Sequence, residues 1–197
     1  MKVYDISQEI FTCTVYPGDP IPRKETLNAI EKGDMYNLSA FSMCAHNGTH
    51  IDTPNHFFAD GKTVDRIPLS KLVGWAYVTE HEGIVTAEDA ENIIKQAAVH
   101  NEQSAGRILI KGNAVVSEEA AEVFSGAGID LIGNESQSVG PEEAPMAVHK
   151  ILLAADVILL EGIRLKEVPT GVYLLNAAPL LLGGMEGAPC RAILVEF

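Results

Sequence analysis

Short apolar runs alternate with amphipathic stretches along this chain, and the two periodicities predict different elements. Residues 3–6, 11–15, 41–45, 75–79, 107–111, 129–132, 157–160, 172–176 and 192–196 read as strands. Residues 87–99 read as a helix opened by Thr86, with Asp89 three positions on as the acidic half of a capping box. Ser117 opens a second helix over 118–124, whose early acids Glu118 and Glu119 suit a helix N-terminus and whose end is marked by Gly126 and Gly128. A third, 148–155, precedes the apolar run Val157-Ile158-Leu159-Leu160. Alternation of this kind specifies an α/β fold. No repeat, low-complexity tract or linker divides the chain, so residues 1–197 are expected to form a single domain. Two loops stand out: the polar turn Gly133-Asn134-Glu135-Ser136, which could face a ligand, and the glycine-rich stretch 183–189, expected to be flexible.

Composition narrows the class. With 47% hydrophobic residues among 197, the chain can bury a sizeable core. Its longest apolar runs, 151–155 and 157–160, are separated by Asp156 and are too short to span a membrane. The start, Met1-Lys2-Val3-Tyr4-Asp5, acquires an acid before any long apolar stretch and does not read as a secretory signal, so a cytoplasmic protein is expected. Only 14 lysines and arginines are scattered among 27 acids, for a net charge of −13, which argues against nucleic acid as a partner. Cys13, Cys44 and Cys190 are odd in number and lack CxxC spacing, so neither a disulfide framework nor a thiolate zinc site is signalled. Cys44, on the strand predicted to enter the segment described next, reads as a small packed residue.

That segment is His46-Asn47-Gly48-Thr49-His50-Ile51-Asp52-Thr53-Pro54-Asn55-His56-Phe57, which holds three of the six histidines. Imidazole and carboxylate are the donors that zinc and similar divalent ions prefer, and catalytic sites usually take three protein ligands. His46, His50 and Asp52 could supply them. The i, i+4 histidine pair would suit one helix face, but Gly48 interrupts it and Pro54 follows, so a tight loop is expected instead. There Gly48 relieves the backbone, and the alternate positions His50 and Asp52 point the same way on a short extended segment. His56, beyond the proline, is the candidate for a free general acid or base, because imidazole titrates near neutrality.

The run HNGTHIDTPNHF resembles the signature of the cyclase family of metal-dependent hydrolases, which includes bacterial kynurenine formamidase and isatin hydrolase. The likeness extends along nearly the whole chain: Tyr4-Asp5-Ile6-Ser7, Tyr16-Pro17-Gly18-Asp19, Val73-Gly74-Trp75-Ala76, His149 and Glu161 around a hydrophobic run, and Ala188-Pro189-Cys190-Arg191-Ala192. It implies a swivelling β/β/α fold, with a mixed β-barrel-like core flanked by helices, assembled as a homodimer or higher homo-oligomer. It also implies two ions, with His46, His50 and Asp52 on one, His149 and Glu161 completing the other, and Asp52 and Glu161 shared. His56 matches the catalytic acid or base. From the residues alone, Glu161 is a carboxylate ending an apolar strand, a place where α/β proteins often put functional groups, whereas His149, in the first turn of its predicted helix, reads more readily as a surface histidine.

The chemistry this implies is hydrolysis of a small amide by metal-activated water, with zinc or manganese as the cofactor and a small molecule as the partner. Arylformamidase activity of the N-formylkynurenine type is the leading expectation, and opening of a cyclic amide such as isatin is the alternative. Tyr16 stands where the formamidases usually place a substrate-contacting tryptophan, and Glu135 where the family often carries aspartate; both departures bear on substrate and not on the metal ligands. A non-catalytic metal or small-molecule binding protein on the same fold would need the ligands but no free His56. No GxSxG nucleophile elbow is present.

Overall fold

The computed structural model describes all residues 1–197. Thirteen strands and four helices follow in chain order: β1 (Lys2–Asp5), β2 (Arg23–Asn28), β3 (Leu38–Ser42), β4 (His50–Asp52), α1 (Leu69–Leu72), β5 (Val73–Glu80), β6 (Gly83–Val85), α2 (Ala87–His100), β7 (Arg107–Lys111), β8 (Ala114–Val116), α3 (Glu118–Gly126), β9 (Leu131–Asn134), α4 (Met146–Ala154), β10 (Ile158–Glu161), β11 (Gly171–Asn176), β12 (Gly187–Pro189) and β13 (Ile193–Glu196). Nine strands form one mixed sheet, ordered β1-β13-β11-β5-β7-β9-β10-β4-β12, which curls into a half-barrel. Its centre, β5-β7-β9-β10, is parallel, and the strands outside that centre run antiparallel to their neighbours.

Parallel strands need crossover connections, and helices α2, α3 and α4 provide them. Alternation along each strand then separates two cores. On β7, Ile108 and Ile110 meet the helices, among them Ala90 and Ile93 of α2, Phe124 of α3 and Leu152 of α4, while Leu109 faces the other way. The opposite face gathers Ile51, Ala76, Val78, Leu131, Ile158, Leu160, Leu175 and Leu194. Because both faces are covered, β7, β9 and β10 are apolar almost throughout, which is why those strands read as continuous runs in sequence. The helix starts also follow local chemistry: Thr86 and Asp89 form the capping box of α2, and Ser117 caps α3 by accepting from the Ala120 amide.

Three expectations give way to tertiary context. Residues 11–15 find no sheet partner; a 3-10 turn, Ile10–Thr12, replaces the strand, and Ile10 and Cys13 lie against Gly48. The strand expected at 41–45 ends at Ser42 and pairs only with β2 in a separate hairpin, so Cys44 lies in the turn beyond it, its amide donating to Asn47. The loop expected to be flexible over 183–189 contains β12, because β4 supplies an edge for it to pair with. The β2–β3 hairpin is mostly exposed, and Leu27, Met35, Tyr36 and Phe41 on or beside it present large apolar surface.

Leu160, fully buried, packs into the core directly behind the end of β10. Truncating it is expected to cost about 2–5 kcal/mol, the usual range for a buried leucine. Urea unfolding of Leu160→Ala measures this, and a loss below about 1 kcal/mol would mean that β10 is not held by this core.

Candidate metal centre

The central strand of the site is only three residues long. In β4, Ile51 points into the apolar core, so His50 and Asp52 on either side of it point together toward the other face. Antiparallel pairing sets Glu161 of β10 directly opposite His50, on the same face. The second turn of α4 contributes His149. His46 comes from the turn before β4, which passes through Gly48 at φ 65°, a left-handed conformation that glycine adopts freely. A Cβ at Gly48 would also stand 3.1 Å from that of Cys13. His56 ends a 3-10 turn, Pro54–His56, that begins at the proline.

Asp52 joins the two halves. Its Oδ1 lies 2.8 Å from His46 Nδ1 and 3.4 Å from His50 Nε2, and its Oδ2 lies 3.7 Å from His149 Nε2. Glu161 Oε2 is 3.4 Å from His50 Nε2, and Oε1 is 3.1 Å from His149 Nε2. The far nitrogens of two rings are tied to backbone: His50 Nδ1 donates to Gly48 O at 3.0 Å and His149 Nδ1 to Pro145 O at 2.8 Å. Those bonds leave each Nε2 facing the carboxylates, the orientation that metal-binding histidines generally show. The Val139 amide donates to Glu161 Oε1 at 2.8 Å.

Burial makes the charges consequential. Asp52 is 1% exposed and Glu161 2%. Burial pushes both carboxyls toward protonation, as does Asp52's charge on Glu161, yet hydrogen bonds from His46 and His50 hold Asp52 well below its ordinary range, and His149 and His50 hold Glu161 down. Burial likewise works against charge on the imidazoles, but the two carboxylates outweigh it, raising His50 to about 10 and His149 to about 9; His46 is also raised, by Asp52. His56 goes the other way. Burial lowers it, its Nε2 is 3.9 Å from Asp52 Oδ2, and its ring rests on that of His46 at 4.3 Å.

The donors fit divalent ions. His46, His50 and Asp52 form one group whose ligand atoms lie within 4.8 Å of one another, and Asp52, His149 and Glu161 form a second. Two donors each about 2.0–2.2 Å from one zinc ion stand roughly 3–4 Å apart, which is the separation seen here. No lysine or arginine pairs with either carboxylate, so neutralisation falls to imidazolium or a bound cation.

The five ligand candidates and His56 thus come together, although His149 and Glu161 are distant in sequence. Tyr16 does not join them: its hydroxyl donates to Glu142 O at 3.2 Å, and it lines a polar cavity of about 670 Å³ with Glu80, Glu82, Lys111, Glu135 and Lys166, to which none of the six contributes. Glu135 there accepts from the Gly112 and Leu165 amides, a loop-fixing role. Sequence reasoning missed Glu186, whose Oε1 is 3.3 Å from His46 Nε2. Only its position within a glycine-rich stretch hinted that something had to approach closely there.

Two carboxylates and four imidazoles gathered at the end of a half-barrel α/β sheet define a protein built around a cation-binding centre. Residues 4–141 match the model of the family described as "Putative cyclase", and the chain belongs to that family. A kynurenine formamidase of Salinibacter ruber is 31% identical over 210 residues, covering 98% of this chain and 97% of that one. A solved structure named as a potential metal-dependent hydrolase with cyclase activity is 31% identical with a TM-score of 0.80, covering 98% and 96%. Isatin hydrolase A from Labrenzia aggregata shares the fold, with a TM-score of 0.80 at 20% identity over 98% and 93% of the two chains. No helix is long and apolar enough to cross a membrane.

Near neutral pH the cation-free centre holds protons on His50 and His149, since both titrate above 7. Divalent ions can enter only as those protons leave. Calorimetric titration with Zn²⁺ in buffers of different ionisation enthalpy is expected to report release of about one to two protons. Heats independent of the buffer would mean that the imidazoles are already neutral.

Proposed function

We propose that this chain is a metal-dependent amidohydrolase acting on a carbon–nitrogen bond of a small, non-peptide substrate, with arylformamidase as its activity. The observation that supports this most is the pair of buried donor groups meeting at Asp52, with a partly exposed His56 beside them that belongs to neither. A structural metal site would use its protein donors to close the coordination sphere and would need no such neighbour. The formamidase of Salinibacter ruber, alike over nearly its full length, supports the choice of an acyclic formamide.

In this reading His46, His50 and Asp52 would hold one ion and His149 and Glu161 would complete the site of a second, with Asp52 and Glu161 common to both and zinc or manganese as the ion. Such ions, when bound, polarise a carbonyl and lower the pKa of water. The chain's residues supply the rest. His56, lowered by burial, is a neutral imidazole at neutral pH and so acts as a base. It takes a proton from the attacking water and returns it to the departing nitrogen, so that amide and water become acid and amine. Asp52, 3.9 Å away, stabilises the imidazolium between those two transfers. Tyr16 makes no contact that would assign it a part in this. The exposed apolar surface of the β2–β3 hairpin supports assembly as a homodimer or higher homo-oligomer.

Screening metal-reconstituted protein against formanilides, cyclic imides and isatin tests the activity. Turnover of formanilides alone is expected, turnover of isatin alone would move the activity to cyclic amides, and inertness to all would sink the hydrolase reading. In the same assay His56→Ala should keep its ions while kcat falls roughly 10²–10⁴-fold. Metal loss in that variant would instead make His56 a ligand.

The shared carboxylates give a separate test. Glu161→Gln keeps the shape and removes the charge, so elemental analysis after dialysis against a weak chelator should find one ion retained per chain where the parent keeps two. Equal retention by both would exclude Glu161 as a bridging ligand.

A further inference from the structure

His46 differs from the other ligand candidates in how its outer nitrogen is held. His50 and His149 each donate outward to a backbone carbonyl that the fold fixes in place, whereas His46 Nε2 meets only the carboxylate of Glu186, at 3.3 Å. A neutral imidazole carries one proton. Donated to Glu186, it leaves Nδ1 unprotonated on the inner side of the cluster, where an ion would replace the hydrogen bond that Nδ1 makes to Asp52 Oδ1 at 2.8 Å in the cation-free centre. Without an acceptor outside, Asp52 favours the tautomer whose inner nitrogen is protonated.

The segment bearing Glu186 is fastened to the motif itself. The Thr53 amide and hydroxyl both donate to Glu186 O at 2.9 Å, the Val64 amide to Met185 O at 2.9 Å, and the Gly184 amide to Asp65 Oδ1 at 2.9 Å. The next residue, Gly187, lies so close to the ring that a Cβ there would stand 2.6 Å from His46 Cε1 and 2.9 Å from Ile51 O. The backbone is therefore flat against the imidazole, and a partly exposed carboxylate, otherwise free to extend into water, is delivered to the ring edge.

We propose that Glu186 is a positioning residue for the metal centre: it fixes His46 in the tautomer protonated on Nε2, so that Nδ1 is the atom offered to an ion. This rests on the reading of His46 as a ligand, made above. Carboxylate partners of ligand histidines generally change metal affinity by 10–100-fold. One ion should feel the effect, because His149 and Glu161 have no contact with Glu186.

The experiment measures Zn²⁺ affinity by chelator competition for the full chain and for Glu186→Ala and Glu186→Gln, with the histidine tautomers read from long-range ¹H–¹⁵N spectra of the Zn²⁺-loaded proteins. Glu186→Ala should weaken one of two sites roughly 10–100-fold and remove the Nε2–H signature of His46. Glu186→Gln, which keeps an acceptor oxygen, should restore the tautomer and most of the affinity. Unchanged affinity and tautomer in Glu186→Ala would overturn the proposal while leaving the hydrolase reading intact. Weakened affinity in a parent protein inert toward every amide would do the reverse. Loss of both sites together in both variants would mean that Glu186 acts only through folding, and would also overturn it.

Discussion

Asp52 and Glu161 are like charges held together out of water, and the rest of the centre answers to that arrangement. Each carboxylate alone would take up a proton on burial, and each makes the other's ionisation harder. They remain ionised because His46, His50 and His149 are pressed against them, and those imidazoles in turn are held charged at pH values where free histidine is neutral. Neither half of the set is stable without the other. A cluster of this kind is poised for exchange, since divalent cations can take over from the imidazolium protons in neutralising the carboxylates.

The geometry that creates the constraint is a matter of strand register. His50 and Asp52 lie on one face of β4 and Glu161 on the same face of β10, with Ile51 and Leu160 turned to the core behind them. A slip of one residue would bury the charges in that core and lift the apolar residues into the site. The hydrophobic packing of Ile51 and Leu160 therefore does two things at once: it stabilises the sheet and fixes which side chains make up the centre. The same division explains why β10 is fully buried yet ends in glutamate. Its apolar residues belong to the two cores, and its last residue belongs to the site.

What could be read from sequence follows from how local each feature is. The helix beginning at Thr86 and the strand Arg107–Lys111 obey short-range chemistry and pattern, and they fall where the residues say. The i, i+2 pair His50 and Asp52 needs only an extended backbone to point one way, and with His46 it makes three of the five candidate donors visible in a single motif. Glu161 and His149 depend on β4 pairing with a strand far along the chain and on α4 packing over it, and only family resemblance linked them to the motif. Residues 11–15 and 183–189 fail for the opposite reason. The first has strand-like composition but no edge to pair with, and the second has loop-like composition but lies beside the free edge of β4, which makes a strand of Gly187–Pro189.

The separation between a fixed centre and variable surroundings also bears on substrate. A fold that persists at 20% identity with a TM-score of 0.80 keeps its sheet and cores while most side chains change, so likeness of fold cannot select among amides. Selection must come from groups that the register does not dictate. Here the groups outside that register are the loops around the centre and the mostly exposed β2–β3 hairpin. Tyr16 lies outside the centre, where its hydroxyl donates to the backbone carbonyl of Glu142. Asp52 differs, because it faces His46, His50 and His149 alike and its loss would unbalance all three. The centre is thus tied to the sheet, whereas groups outside it can change without unbalancing its charge.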